Sequence, residues 1–122
     1  MNPPDKHPMN AQLAAWQRQH GFTYETAALA LGVSRVTFWG YLKRDKLPAT
    51  VALACQGVTI GQCVRNIGVW HQRHGHTYES GAKALGVSRA SYASYLKNPA
   101  DVPRIVMLAC AALDEGLEPI NA

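Results

Sequence analysis

The feature that most constrains this chain is an internal repeat that covers nearly all of its length. Residues 16–43 read WQRQHGFTYETAALALGVSRVTFWGYLK, and residues 70–97 read WHQRHGHTYESGAKALGVSRASYASYLK. The two segments align without a gap at a spacing of 54, and 16 of the 28 positions are identical. After a one-residue insertion the match resumes at a spacing of 55 and includes three pairs: Pro48 with Pro103, Val51 with Val106, and Cys55 with Cys110. One small structural unit therefore occurs twice.

The break between the copies falls near residues 57–61, which divides the 122 residues into a first unit, 1–58, and a second unit, 59–122. A unit of about 60 residues buries only about 60% of the surface that its unfolded chain exposes, so neither has room for a large catalytic core. Hydrophobic residues make up 48% of the chain and charged residues 16%, a composition that excludes intrinsic disorder.

Both copies have the residue pattern of a chain of short helices. In the first copy, Met9, Leu13 and Trp16 recur at helical spacing and predict an amphipathic helix over residues 9–20. Thr23 is a good N-cap for a second helix that ends at Gly32. The apolar stripe of that second helix comprises Tyr24, Ala27, Ala28 and Leu31.

Ser34 comes two residues after that glycine and can cap a third helix, with Phe38, Tyr41 and Leu42 facing inward. Pro48 suits the first turn of a fourth helix. In the second copy, a first helix is predicted from Ile60, Cys63, Val64, Ile67 and Trp70. Because no segment alternates with a period of two, the fold class is predicted to be all-α.

The segment ETAALALGVSRVTFWGYLK resembles the signature of Cro/CI-type, lambda-repressor-like helix-turn-helix regulators. In that family an alanine lies four residues before the turn glycine, as Ala28 precedes Gly32 and Ala82 precedes Gly86. The turn continues with Val-Ser, and an apolar residue follows the serine by four positions, as Phe38 and Tyr92 do here. The resemblance covers about residues 9–57 and again 60–113.

This resemblance implies two tandem four-helix helix-turn-helix domains that bind double-stranded DNA and regulate transcription, as a repressor. The third helix of each copy, which starts at Ser34 or Ser88, would read the major groove. The implied DNA-binding residues of the first copy are Thr23, Tyr24, Ser34, Arg35, Val36, Thr37, Trp39, Gly40, Lys43 and Arg44. Those of the second copy are Thr77, Tyr78, Ser88, Arg89, Ala90, Ser91, Ala93, Ser94 and Lys97.

The residue types at these positions suit DNA. Arg35 and Arg89 can each make two hydrogen bonds to guanine O6 and N7. Val36 and Ala90 can contact a thymine methyl group. Hydroxyl groups at the start of the second helix of each copy, and basic side chains after the third, suit phosphates. The formal net charge of +4 permits an anionic partner without requiring one.

Other interpretations remain open for several of these residues. Arg35 is also explained as a solvated surface side chain, and Tyr24 and Tyr78 as half-buried core aromatics. Trp39 either reads the groove or packs against a partner. Gly40 lowers helix stability by about 1 kcal/mol relative to alanine, which close approach to DNA would explain and simple sequence drift would explain equally.

The remaining residues point away from catalysis and metals. No Ser/His/Asp set, carboxylate pair or phosphate loop can be placed, so no enzymatic activity and no cofactor are predicted. The spacing of Cys63, His71, His74 and His76 matches no zinc family, and no metal is predicted. Cys55 and Cys110 are expected to be buried thiols in a reducing compartment.

We also expect no membrane partner, because the uncharged run 47–64 is too short and too polar to span a bilayer. The polar N-terminus has no apolar signal segment, which predicts a cytoplasmic protein. The DNA binding that the resemblance implies would make it nucleoid-associated. Monomer and homodimer both remain open. The alternative functions are a protein-interaction adaptor and a phage packaging or replication factor that binds DNA with the same helices.

Overall fold

The computed structural model describes residues 10–120, and this part of the chain is entirely helical apart from its connections. The first copy contains α1 (Ala11–Gln19), α2 (Tyr24–Leu31), α3 (Arg35–Leu42) and α4 (Ala49–Ile60). The second contains α5 (Ile67–Arg73), α6 (Tyr78–Leu85), α7 (Arg89–Lys97), a 3₁₀ turn (Pro99–Asp101) and α8 (Arg104–Asp114). The predicted all-α class is confirmed for these residues.

The predicted caps begin the helices at equivalent positions in the two copies. The Thr23 hydroxyl accepts from the backbone N–H of Thr26, whose side chain accepts from the N–H of Thr23 in return. Thr77 and Ser80 repeat this reciprocal capping at α6. Ser34 caps α3 by accepting from the N–H of Thr37 at 3.1 Å. Each cap satisfies a backbone donor that the first helical turn leaves free.

A three-residue turn joins α2 to α3 and another joins α6 to α7. Gly32 and Gly86 occupy the same position in these turns, with φ of 77° and 76°. A side chain at such a φ would strain the backbone, and glycine avoids that strain. The turns orient the third helix of each copy against the second, as the sequence predicts.

The two copies pack against each other through their fourth helices, α4 and α8. Two hydrophobic clusters form the core, one around Phe38 in the first copy and one around Tyr92 in the second. Each cluster also takes in one leucine from the other copy. Leu108 of α8 lies in the first cluster, and Leu53 of α4 lies in the second.

The prediction for the first helix of the second copy was wrong in its extent. Ile60 ends α4, where Gly61 adopts a φ of 69° and stops the helix. Cys63 and Val64 lie in the loop that follows, and the Val64 N–H donates to the Met107 carbonyl at 3.1 Å. The new helix begins only after Asn66, whose side chain accepts from the Val69 N–H. The apolar residues keep helical spacing across Gly61, although this glycine ends α4. A prediction from periodicity alone therefore merges the end of α4 with α5.

Smaller differences concern the ends of the chain and one core residue. Met9, assigned to the first helix, lies outside the described residues. The repeat predicts that Leu42 and its equivalent Leu96 are both buried, but only Leu42 is inaccessible to solvent, and Leu96 is half-buried. The division at residues 58 and 59 falls in the last turn of α4. No helix within residues 10–120 is long and apolar enough to cross a membrane.

The copies differ at two equivalent core positions, 27/81 and 38/92, and at the neighbouring position where Gln17 of the first copy corresponds to His71 of the second. Phe38 of the first copy becomes Tyr92 in the second, and the Tyr92 hydroxyl lies 2.7 Å from His71 Nδ1. Gly81 replaces Ala27 on the adjacent helix, and a Cβ at Gly81 would overlap the end of the Tyr92 ring. The added hydroxyl therefore occupies the space of a missing methyl group.

This arrangement predicts a rescue. Gly81→Ala should lower the free energy of unfolding by about 1–2 kcal/mol, because it overpacks the core against a buried ring. Gly81→Ala with Tyr92→Phe should recover much of that loss, since the pair restores the Ala–Phe combination of the first copy. Chemical denaturation of the two single variants and the double variant measures the coupling. Additive losses would contradict the proposed overlap.

Candidate nucleic-acid interface

The residues that the resemblance implies lie on two equivalent surfaces, one in each copy. In the first copy the start of α2 and the exposed side of α3 form this surface, which we call surface 1. In the second copy the start of α6 and the exposed side of α7 form surface 2. Both surfaces are built on capped helices that the turn holds against the core.

Surface 1 presents an aromatic pair flanked by basic side chains. The Trp39 ring lies 5.2 Å from the Tyr24 ring between centroids, and Trp39 remains 37% exposed. Lys43 Nζ lies 5.2 Å from the centre of the Trp39 ring, in cation–π range. Val36 is 79% exposed, so an apolar side chain faces solvent at the start of α3.

Arg35 and three of these side chains, Tyr24, Val36 and Trp39, line a shallow groove of about 400 Å³. A second depression adjoins it and shares Tyr24 and Arg35, with Thr23 and Glu25 on its other side. The structure thus brings the start of α2 and the start of α3 together into one continuous surface.

Surface 2 has a different arrangement, because Ala93 stands where the first copy has Trp39. Without that indole, the face of the Tyr78 ring is open, and Arg89 Cζ lies 5.6 Å from its centre. Tyr78 is 41% exposed. The arginine at the start of α7 therefore lies against an aromatic ring, whereas in surface 1 the ring at the equivalent position packs against a tryptophan.

Most of the implied residues are exposed in both copies, and exposure differs between equivalent residues at three pairs: Tyr24 and Tyr78, Thr37 and Ser91, and Trp39 and Ala93. Three are half-buried: Tyr24, Ser91 and Ala93. Ser91 is engaged in the cap of α7, where its N–H donates to Ser88 Oγ. Gly40 has open space where a Cβ would lie. The exposed residues are Thr23, Ser34, Arg35, Val36, Thr37, Trp39, Gly40, Lys43, Arg44, Thr77, Tyr78, Ser88, Arg89, Ala90, Ser94 and Lys97.

Among residues 10–120, no ion pair involves a side chain of surface 1 or surface 2. Within residues 10–120 the ion pairs join Asp114 to Arg73 at 2.7 Å and to His74 at 2.6 Å, away from both surfaces. By sequence, residues 1–58 hold six Lys and Arg against three Asp and Glu, and residues 59–122 hold six against five. The first copy thus carries the larger positive excess.

His71 and His74 contact neighbouring side chains, and Cys63 is exposed while the other two cysteines are buried. The described residues contain no group of three or more His, Cys, Asp or Glu side chains arranged to hold a metal ion. His74 pairs with Asp114, and His71 contacts the Tyr92 hydroxyl. Cys55 and Cys110 are buried as predicted. Burial raises the pKa of the Cys55 thiol to about 12, so this thiol stays protonated and unreactive at neutral pH.

Sequence reasoning missed Arg104, the first residue of α8. Its Nε donates to the carbonyl of Ala30 at 3.1 Å, and its side chain packs beside Gly32 in the turn that positions α3. The arginine belongs to the second copy and supports the first. The only sequence signal was the difference from Ala49, its repeat equivalent, and that difference does not reveal which helix the side chain reaches.

Comparison of the chain with protein-family models, with curated proteins and with solved structures finds no match. The function is therefore inferred from the residues of surfaces 1 and 2 and from the way the helices hold them.

Proposed function

We propose that this protein is a sequence-specific, double-stranded DNA-binding regulator of transcription, built from two helix-turn-helix units of the Cro/CI type. The proposal depends mainly on one arrangement that both copies share. A serine-capped helix follows a tight glycine turn in both copies, with an exposed arginine at its first position. Repression is the role that the resemblance to Cro/CI-type regulators implies.

The chemistry of surface 1 supports direct reading of base pairs. The Arg35 guanidinium can donate two hydrogen bonds to guanine, and the exposed Val36 side chain can contact a thymine methyl group. The N-terminal end of α2 offers the Thr23 hydroxyl to a phosphate, and its helix dipole favours that anion. Lys43 and Arg44, beyond the end of α3, suit phosphates on the other side of the groove.

Surface 2 supports the same role with fewer bulky groups. Arg89 can leave the Tyr78 ring and donate to a guanine, and Ala90 offers a smaller contact to a thymine methyl group. Thr77 and Lys97 occupy the phosphate positions equivalent to Thr23 and Lys43. The two units therefore favour related but unequal base sequences.

The simplest test is the binding of the chain to duplex DNA over a range of salt concentrations. Contact with several phosphates releases counterions, so the affinity should fall steeply between 50 and 200 mM salt. A protein-interaction adaptor, the alternative from another class, should shift no duplex at any salt concentration. That result would contradict DNA binding.

Single substitutions should separate base reading from phosphate binding. Arg35→Ala and Arg89→Ala should each weaken binding to the selected site by about 1–3 kcal/mol and relax preference at one base pair. Lys43→Ala should weaken binding to all duplexes and reduce the salt slope by about one. Arg18→Ala is the charge-matched control, because Arg18 is exposed on α1 outside both surfaces. An unchanged preference after both Arg35→Ala and Arg89→Ala would contradict base reading by these two arginines.

A further inference from the structure

The contacts between the two copies are reciprocal. A residue of the first copy and its equivalent in the second are 54 or 55 positions apart, as the alignment shows. Leu53 and Leu108 are such a pair, and each is buried in the hydrophobic cluster of the opposite copy. The backbone of Gly57 approaches the Leu108 carbonyl so closely that a Cβ there would overlap it.

The two turns repeat this reciprocity. A Cβ on Gly32 would lie 2.6 Å from Cβ of Arg104, and a Cβ on Gly86 would lie 2.6 Å from Cβ of Ala49. Arg104 and Ala49 are themselves equivalent, since each begins the fourth helix of its copy. The turn of each copy therefore rests on the start of the other copy's fourth helix.

Hydrogen bonds reinforce both halves of this arrangement. The Thr50 hydroxyl donates to the Leu85 carbonyl, from the first copy to the second. Arg104 Nε donates to the Ala30 carbonyl, from the second copy to the first. The start of α4 is thus bonded to the last turn of α6, and the start of α8 is bonded to the last turn of α2.

Reciprocal contacts of this kind indicate a two-fold axis, because a two-fold interface uses the same surface patch on both partners. If a residue of the first copy contacts a given residue of the second, the equivalent residues with the copies exchanged are also in contact. Copies related by translation would join two different patches and leave one patch uncovered at each end. The α4–α8 interface instead joins equivalent helices, so neither copy is left with an uncovered patch. The chain thus has the internal symmetry of a dimer.

We propose that one chain, as a monomer, binds an imperfect inverted repeat through surfaces 1 and 2 together. This inference rests on the proposed function and deepens it, because it specifies the form of the DNA site. A two-fold relation between α3 and α7 matches the two-fold relation between the halves of an inverted repeat. The two halves share the base pair that faces Arg35 or Arg89 and differ beside it, where Trp39 has Ala93 as its counterpart.

The test begins with selection of bound sequences from random duplexes by the complete chain, by Arg89→Ala and by Trp39→Ala. The half that loses its preference with Arg89→Ala is read by the second copy, and the half altered by Trp39→Ala is read by the first. Duplexes are then built with the two halves inverted, with one half reversed to give a direct repeat, and with one half scrambled. The spacer is varied in single base pairs.

The inverted repeat at its best spacing should bind roughly 100-fold or more tightly than either half alone, since the second contact becomes intramolecular. The direct repeat should bind no better than one half. Sedimentation of the complex should give one chain per duplex. Arg18→Ala, the control, should select the same motif as the unaltered chain.

The outcomes separate the two proposals. Tight, salt-dependent binding to a single half-site, equal affinity for direct and inverted repeats, or two chains per duplex would overturn the pseudo-dimer and leave DNA binding intact. Absence of salt-dependent binding to every duplex would overturn DNA binding and, with it, the inverted repeat. A perfect palindrome selected by the chain would contradict unequal reading by the two copies.

Discussion

Leu108→Ala is expected to lower the free energy of unfolding by about 2–5 kcal/mol, the usual range for removal of a buried leucine side chain. Leu108 is only 2% exposed and lies in the hydrophobic cluster of the first copy, although it belongs to the second by sequence. Leu53→Ala should lower the free energy of unfolding by a similar amount, because Leu53 of the first copy lies in the hydrophobic cluster of the second. Because each leucine completes the opposite core, both variants should still unfold in a single transition.

Leu29→Ala is the control for this experiment, since the Leu29 side chain is 76% exposed and its removal should change stability by no more than about 0.5 kcal/mol. Denaturant unfolding followed by circular dichroism and by tryptophan fluorescence gives the free energies. Two separate transitions in Leu108→Ala, with only the second copy destabilised, would contradict the exchange of core leucines.

Gly57→Ala is expected to lower the free energy of unfolding by about 2–3 kcal/mol, within the range for overpacking a core. The new methyl group would overlap the carbonyl group of Leu108, and backbone atoms inside a helix cannot move aside as a flexible side chain can. The loss would occur despite a helix-propensity gain of about 1 kcal/mol for alanine over glycine. The α4–α8 interface would have to open.

Gly40→Ala provides the matched control. Gly40 also lies inside a helix, but a Cβ there would meet nothing within 4 Å. The same substitution should therefore raise the free energy of unfolding by up to about 1 kcal/mol. Thermal or denaturant unfolding of both variants gives the comparison. Equal gains in the two variants would mean that α4 and α8 do not approach as closely as described.

Much of the local structure could be predicted because its determinants lie close together in the sequence. Thr23, Ser34 and their equivalents cap helices through donors only three residues away. Gly32 and Gly86 end helices through their own backbone conformation. Neither effect depends on a distant segment, so the sequence shows both.

The composition of the candidate site could be predicted, but the positions of its side chains could not. Spacing predicts that Arg35 and Arg89 share a place in their helices. It does not predict that Arg89 lies over the Tyr78 ring. The difference arises because Trp39 covers the Tyr24 ring, whereas the small Ala93 leaves the Tyr78 ring open. Such packing between two helices is not visible in the spacing of residues along one helix.

By itself, the sequence determined that the protein is a duplicated, all-helical chain, with the caps of the second and third helices of each copy, their glycine turns and most of the apolar helix faces. Only the tertiary structure decided what covers those faces. The apolar residues of α4 have the same period whether they meet a second copy of the unit, a second chain or their own copy, because periodicity describes one helix and not its neighbour. The close approach of Gly57 to Leu108 and the exchange of Leu53 and Leu108 made that choice. These contacts join the two copies into a single folded body, in which α3 and α7 are held at one fixed relative position.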